Sequence, residues 1–201
     1  MTSFEKNTGA FFVGGINGSG KSTVLKKIAS KDERFEIIHG SKYLMECLGI
    51  EEGDYETLRS TPDNVKEKAK EQMAKEISSR KNSDKIILFD AHYIKIHEGK
   101  IDSAIKGNWI ALFEKLFLIK SDPKTILSRI ESDPRDRKLF SSHCSTEKEK
   151  VVFLSKCSDR TLSVMKEAGK KFGVPSFTIE NKEGSIDKCV KDFLNINKII
   201  N

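Results

Sequence analysis

The sequence is short of everything that staples a small fold or anchors a chain to a membrane. Its four cysteines, Cys47, Cys144, Cys157 and Cys189, are scattered and form no C-x-x-C pair. That spacing excludes a disulfide framework and reads as reduced thiols, mostly core fillers. His143, Cys144 and Cys157 fall near one another in sequence, but a closed zinc site takes four ligands at workable spacing. Long apolar runs are missing too. The longest, Trp109–Ile119, is interrupted by Glu114 and Lys115 and is too short to span a bilayer. The stretch from Met1 to Ala10 is polar and charged and has no signal-peptide pattern. A cytoplasmic protein without membrane contact is therefore expected. Repeats, low-complexity linkers and composition breaks are also absent, so residues 1–201 read as one domain of ordinary size. Its oligomeric state is not readable from the sequence.

Arginine is the other scarcity. Among 36 basic residues only Arg34, Arg59, Arg80, Arg129, Arg135, Arg137 and Arg160 are arginine. A guanidinium makes a planar bidentate fork that an ammonium cannot, so clustered Arg in a Lys-rich chain marks places where geometry matters. The 36 basic side chains against 30 acidic ones give a net charge of +6. Such a balance suits a polyanionic ligand, nucleotide or nucleic acid, and equally a lysine-rich solvated surface.

Apolar runs alternate with helical patterns along the chain. Ala10–Ile16, Phe35–His39, Lys85–Asp90, Leu116–Lys120 and Val174–Ile179 read as strands. Between them, Lys21–Ser30 and Ser41–Leu48 read as helices, with Ser41 as a cap. Thr61 caps a long helix with Pro62 at its first position and Val65, Ala69, Met73 and Ile77 as its stripe. Asp122-Pro123 opens a further helix. Thr146 and Glu149 make a capping box for one reaching Phe172, and Ser185 starts the last. Five strands alternating with helices predict an α/β fold with three layers, helices covering both faces of a five-stranded parallel sheet.

Gly15-Ile-Asn17-Gly18-Ser19-Gly20-Lys21-Ser22 matches G-x-x-x-x-G-K-[ST] in full, between a strand and a helix. Chance gives this pattern in roughly one 200-residue chain in a hundred or fewer. Glycines let backbone N–H groups turn inward around phosphate oxygens, and the helix points its positive end at the same place. Lys21 reaches the β- and γ-phosphates, Ser22 offers an oxygen to Mg²⁺, and Thr23 follows in the same turn. Ligands of open α/β sheets sit beyond the carboxyl ends of the strands. Asp90 ends Lys85–Asp90 and so shares that rim, as a second-sphere Mg²⁺ group or a catalytic carboxylate; a helix cap or a loop salt bridge is the alternative. His92 follows two residues on, toward the acceptor or in a structural role. Asn181, after the last strand, either frames the base or makes an ordinary turn.

Arg135 and Arg137 lie in the polar loop Asp133–Ser142, two residues apart with Asp136 between them. They suit a closing lid that clamps phosphoryl oxygens as charge shifts. Arg59, just before Thr61-Pro62, suits an acceptor phosphate. With these features together, the chain resembles the archaeal-type adenylate kinases. That family includes eukaryotic relatives joining adenylate kinase and ATPase activity to ribosome assembly. The resemblance rests on Gly15–Ser22, Arg59 to Pro62, Asp90-Ala-His92, Asp133–Arg137 and the Asn181–Gly184 turn, and spans nearly the whole chain at low identity. It implies Mg-ATP at the glycine loop, a monophosphate between Ser41 and Arg59, and a short arginine lid. The chain departs from the family's pattern at Tyr93–Asn108, which is Lys-rich and lacks proline, and at Ile38–Met45, which holds no motif naming adenine.

The expected activity is thus nucleoside monophosphate kinase, with Lys21, Asp90, Arg135 and Arg137 catalytic, Mg²⁺ on Ser22 and Asp90, and AMP as acceptor. Transfer needs no covalent intermediate, only positioning and charge neutralisation. Neither a protein-kinase catalytic loop nor a D-F-G is present. Two other readings stay open: an ATPase acting as an assembly or RNA-associated switch, for which nucleic acid is a partner, and a kinase for another nucleotide, nucleoside or RNA end.

Overall fold

Alternation along the strands decides how the layers form. In β1 (Gly9–Gly14) every residue is buried; Ala10 and Phe12 point to one face, Phe11 and Val13 to the other. A strand buried on both sides belongs in the middle of a covered sheet. β1 pairs in parallel with β3 (Ile86–Asp90) on one side and β6 (Lys115–Lys120) on the other. β2 (Phe35–His39) flanks β3, and β7 (Ser176–Glu180) flanks β6, giving the order β2-β3-β1-β6-β7, all parallel. The computed structural model describes residues 9–80, 84–134, 138–142 and 144–197.

One face of the sheet is covered by α1 (Lys21–Lys31) and α7 (Ile186–Ile196). Their Val24, Leu25, Ile28, Val190 and Phe193 pack on Phe11, Val13, Leu88 and Phe117. The other face carries α4 (Asp63–Arg80), α5 (Pro123–Glu131) and α6 (Glu147–Phe172), gathered on Phe12, Phe89 and Leu118. Phe12 sits at the centre of an aromatic cluster with Phe89, Tyr93, Trp109 and Phe113. The Asp122 cap with Pro123 at the first turn and the Thr146–Glu149 capping box form as expected.

Local details between β2 and β3 differ from expectation. α2 (Gly40–Cys47) starts one residue early with His39 at its N-cap, so Ser41 lies inside its first turn rather than capping it. A short helix, α3 (Tyr55–Ser60), was not legible. Thr61 terminates it, donating its hydroxyl to the Thr57 carbonyl, so it caps the end of α3 instead of the start of α4. Val65 is 41% exposed, and Lys66 and Lys70 take buried places beside Ala69 and Met73. The buried stripe of α4 is thus part lysine, a pattern that apolar periodicity cannot find.

The Lys-rich segment after β3 folds as a hairpin, β4 (Ile94–His97) with β5 (Lys100–Ser103). Its two-residue turn puts Glu98 at φ 48° and Gly99 at φ 78°, the left-handed pair that matches strand twist. Tyr93, fully buried, donates to the Phe117 carbonyl and pins the hairpin's root to β6. At its tip, Glu98 and Gly99 N–H groups donate to the carbonyls of Lys138 and Leu139. A single 3-10 turn, Trp109–Leu112, then leads into β6.

Candidate functional site

The sharp turn from β1 into α1 forces backbone atoms inward. Gly18 and Gly20 hold φ of 81° and 79°, a conformation that costs side-chain-bearing residues energy. A Cβ on Gly20 would also stand 2.4 Å from the Asn181 amide and 3.1 Å from the Arg129 guanidinium. Both neighbours brace the loop from outside. Asn181 Nδ2 donates to the Ser19 carbonyl at 2.8 Å, and Arg129 Nη1 to the Gly18 carbonyl at 3.2 Å. Ser121 joins them, its hydroxyl within reach of the Ser19 and Asn181 carbonyls. These donors occupy the outward carbonyls of Gly18 and Ser19, while the Ser19 N–H is used within the loop, on the Ile16 carbonyl.

Lys21 and Asp90 meet in the middle of the site. The Lys21 ammonium contacts the Asp90 carboxylate, and both side chains are only 7% exposed. Burial alone pulls the Lys21 pKa down to about 7; the carboxylate against it opposes that loss. Asp90 also accepts from the Ser22 hydroxyl at 3.3 Å and from His39 Nδ1 at 3.0 Å. Burial first, then the Lys21 charge, lowers the His39 pKa, so its ring is neutral at pH 7 with the proton on Nδ1. Registry explains the meeting: His39 and Asp90 are directly paired at the ends of β2 and β3, and Val13 pairs with Asp90 just before the loop. Ser22 and Asp90 present only oxygen, close together beside the loop. That donor set fits a small hard cation held jointly by protein and phosphate.

A cavity of about 620 Å³ opens from this point. Asn17, Gly18, Ser19, Gly20, Lys21, Ser22 and Thr23 line it on the loop side, with Arg129 and Asp133. Ser41, Asp90 and His92 line it as well. Gly15 is buried at the base of the loop, where its carbonyl accepts from His92 Nδ1 at 2.7 Å. His92 is therefore tied to the loop's foot as well as facing the cavity.

Two predicted residues land elsewhere. Arg59 is exposed on α3 and does not line the cavity; its carbonyl accepts from Lys66 instead. The unforeseen turn of α3 carries its side chain off that wall, which Tyr55 and Leu58 supply. Asn181, 4% exposed, supports the loop from behind and does not line the cavity. Arg135 and Arg137 lie outside the described residues. Sequence reasoning missed His39, Lys70, Lys95 and Trp109, all on the cavity wall, and Arg129 as a loop brace. The scarcity of arginine pointed at Arg129, which reaches the loop from α5.

Comparison with known proteins agrees with this architecture. A family profile described as an AAA domain matches residues 14–143. No curated protein matches the chain. A shikimate kinase from Bacteroides thetaiotaomicron superposes with a TM-score of 0.57 at 13% identity, over 94% of this chain and 98% of that one. A deoxyadenosine kinase from M. mycoides with products dCMP and dCDP bound gives 0.52 at 16% identity, over 95% and 100%. A gluconokinase from Sinorhizobium meliloti gives 0.51 at 14%, over 94% and 90%. At such identities the likeness speaks for the fold, which is that of a P-loop protein. None of this reaches the narrower archaeal-type adenylate kinase family. The profile match runs from the end of β1 through the loop, the Asp90 rim and the hairpin, and on that match the chain belongs to the AAA domain family.

Proposed function

We propose that this chain is a Mg-ATP-dependent phosphotransferase acting on a small anionic acceptor, a nucleoside monophosphate with AMP first. One observation carries the reading: the cavity at the phosphate loop continues along α2, α3, α4 and the hairpin, lined by Tyr55, Lys70, Lys95 and Trp109. That compartment is more than a triphosphate needs. The structurally similar proteins are named as kinases of shikimate, deoxyadenosine and gluconate, small acceptors in each case.

In this reading the loop's N–H groups hold the β- and γ-phosphates, and Lys21 exchanges the Asp90 carboxylate for phosphate oxygens. Ser22 and Asp90 would hold Mg²⁺, which neutralises charge on the transferring group when bound. Asp90 then keeps Ser22 and His39 in place. Arg135 and Arg137 close over the phosphates as a lid. The remaining work is alignment of donor and acceptor.

The RNA-associated switch draws less support from the fold. Lys66 and Lys70 are buried, and Lys95 and Lys106 face Asp63 rather than forming an open basic stripe. A coupled assay with Mg-ATP and a panel of AMP, other monophosphates, nucleosides and RNA 5′ ends separates these readings. AMP should drive ADP formation without free phosphate. Hydrolysis indifferent to every acceptor would overturn the proposal.

A further inference from the structure

Beyond the Lys21–Asp90 centre, the cavity carries cations that the transfer chemistry above does not use. Lys66 and Lys70 come from α4, Lys95 from β4 and Lys106 from the segment after β5. They share few carboxylates. Asp63 faces three of them: Lys106 Nζ lies at 2.7 Å, Lys95 at 3.7 Å and Lys66 at 3.8 Å. Lys106, through its hydrogen bond, is the largest influence holding the Asp63 carboxyl down at about 2. Glu67 takes Lys70 at 2.7 Å, and Asp102 adds its field at Lys106. Four ammonium groups thus answer to three carboxylates, and the closest place on Asp63 is already filled. Lys95 is left beyond hydrogen-bond length.

Two of the four face the cavity. Lys70 is 8% exposed and lines it, as does Lys95 from the opposite element. Glu67 already answers Lys70, while Lys95 keeps only the 3.7 Å contact with Asp63, so an anion held between the two would complete the charge balance. Beside them Met73 and Trp109 give an apolar wall. The Trp109 indole Nε1 is buried and has no hydrogen-bond partner among the described residues. That N–H is enclosed, so Trp109 meets the cavity with the rest of its ring.

We infer that Lys70 and Lys95 together form the anion site of the acceptor, gripping a phosphate or carboxylate group while Trp109 covers the body of the molecule. They fill the role that spacing assigns to Arg59. The identity of the ligand as a phosphoryl acceptor rests on the phosphotransferase reading; the anion site does not. The acceptor is then a singly or doubly charged anion with a flat or apolar body, and its neutral counterpart is a poor ligand. Adenosine should bind far more weakly than AMP.

The test is lysine footprinting of the full chain by amine acetylation and mass spectrometry. A non-hydrolysable ATP analogue with Mg²⁺ first saturates the loop, and inorganic phosphate or AMP is the probe. Both probes should protect Lys70 and Lys95, and adenosine neither; Lys42, paired with Glu52 on another part of the wall, serves as the control. In kinetics, Lys70→Met and Lys95→Met should each raise the acceptor KM about ten- to a hundredfold, with the ATP KM unchanged. Protection absent with both probes, or equal at Lys42, overturns the site. So does an unchanged acceptor KM in both variants when the wild type transfers phosphate. If the wild type transfers to no acceptor but phosphate still protects the pair, the anion site stands and the phosphotransferase reading falls. Footprinting uses the wild type, so variants that fail to fold leave the result intact.

Discussion

Asp90→Asn keeps the shape of a side chain and removes its charge, and the consequence for Lys21 can be worked out. Both side chains are 7% exposed, so water cannot replace the lost carboxylate. With burial alone acting, the ammonium titrates at about 7, against about 10.4 in an unfolded chain. That gap is worth about 4 to 5 kcal/mol at roughly 1.36 kcal/mol per pH unit. The figure agrees with the ~3–5 kcal/mol lost when one partner of a buried pair is removed. For a protein of this size it lowers Tm by roughly 10 °C. The sign with pH follows from proton counts. Between about pH 7 and 10.4 the unfolded chain holds a Lys21 proton that the folded variant has shed. The cost is therefore full below pH 7, shrinks as pH rises and vanishes above about 10.4. ATP supplies the missing negative charge, so it should raise the variant's Tm more than the wild type's. Calorimetry at pH 7 and 9.5, with and without ATP, reads all of this. A variant within about 1 kcal/mol of wild type at pH 7, with a difference flat in pH, would refute the reasoning. Turnover should fall as well, since Ser22 and His39 lose the charge that orients them.

Other expectations follow from the same geometry. Asn181→Ala removes the amide on the Ser19 carbonyl, and should cost about 1–3 kcal/mol and raise the ATP KM while sparing the acceptor KM, as melts and steady-state kinetics would show. Arg135→Ala and Arg137→Ala should each cut turnover by up to ~10³-fold, well beyond any loss of ATP affinity; Lys at either position should restore little, and two fully active alanine variants would remove the lid from the mechanism. Chelating Mg²⁺ should abolish transfer while ATP still raises Tm, because the loop's N–H groups bind phosphate without metal. Mg-ATP at about 100 times Kd should add roughly 2.7 kcal/mol of stability, and no shift at all would sink nucleotide binding itself.

The sheet was readable because its strands are short apolar runs ending in turn residues, as in β1 and β3. The loop was readable because eight consecutive residues carry its whole chemistry. Pairings across the chain were another matter. Nothing local to His39 says that it meets Asp90, since that depends on β2 and β3 lying side by side. Lys66 and Lys70 look like solvated charges in a helix; only the packed fold makes them buried. Arg59 stands off the cavity wall because α3, which is weakly patterned, sets its direction. Asn181 was placed on the correct rim, but β7 lies at the sheet edge next to β6, which puts its amide behind the loop. Glu98-Gly99 makes a two-residue turn between I-K-I-H and K-I-D-S, but strands of four residues leave too little alternation to read.

That small hairpin fixes a length. One end carries Lys95 toward Asp63 at the start of α4, and the other lends two backbone N–H groups to Lys138 and Leu139. Leu139 is itself buried, and a Cβ on Gly99 would stand 2.8 Å from Ser141. The tip can therefore neither grow nor gain a side chain without displacing the segment that follows Arg137. Elsewhere on a protein surface, turns of this kind absorb insertions readily. Here a single added residue would slide β5 by one against β4, whose root Tyr93 holds in place, and turn the β5 side chains to opposite faces. Descendants of this sequence are free to vary the hairpin's outward side chains, but its span is set by what stands at either end.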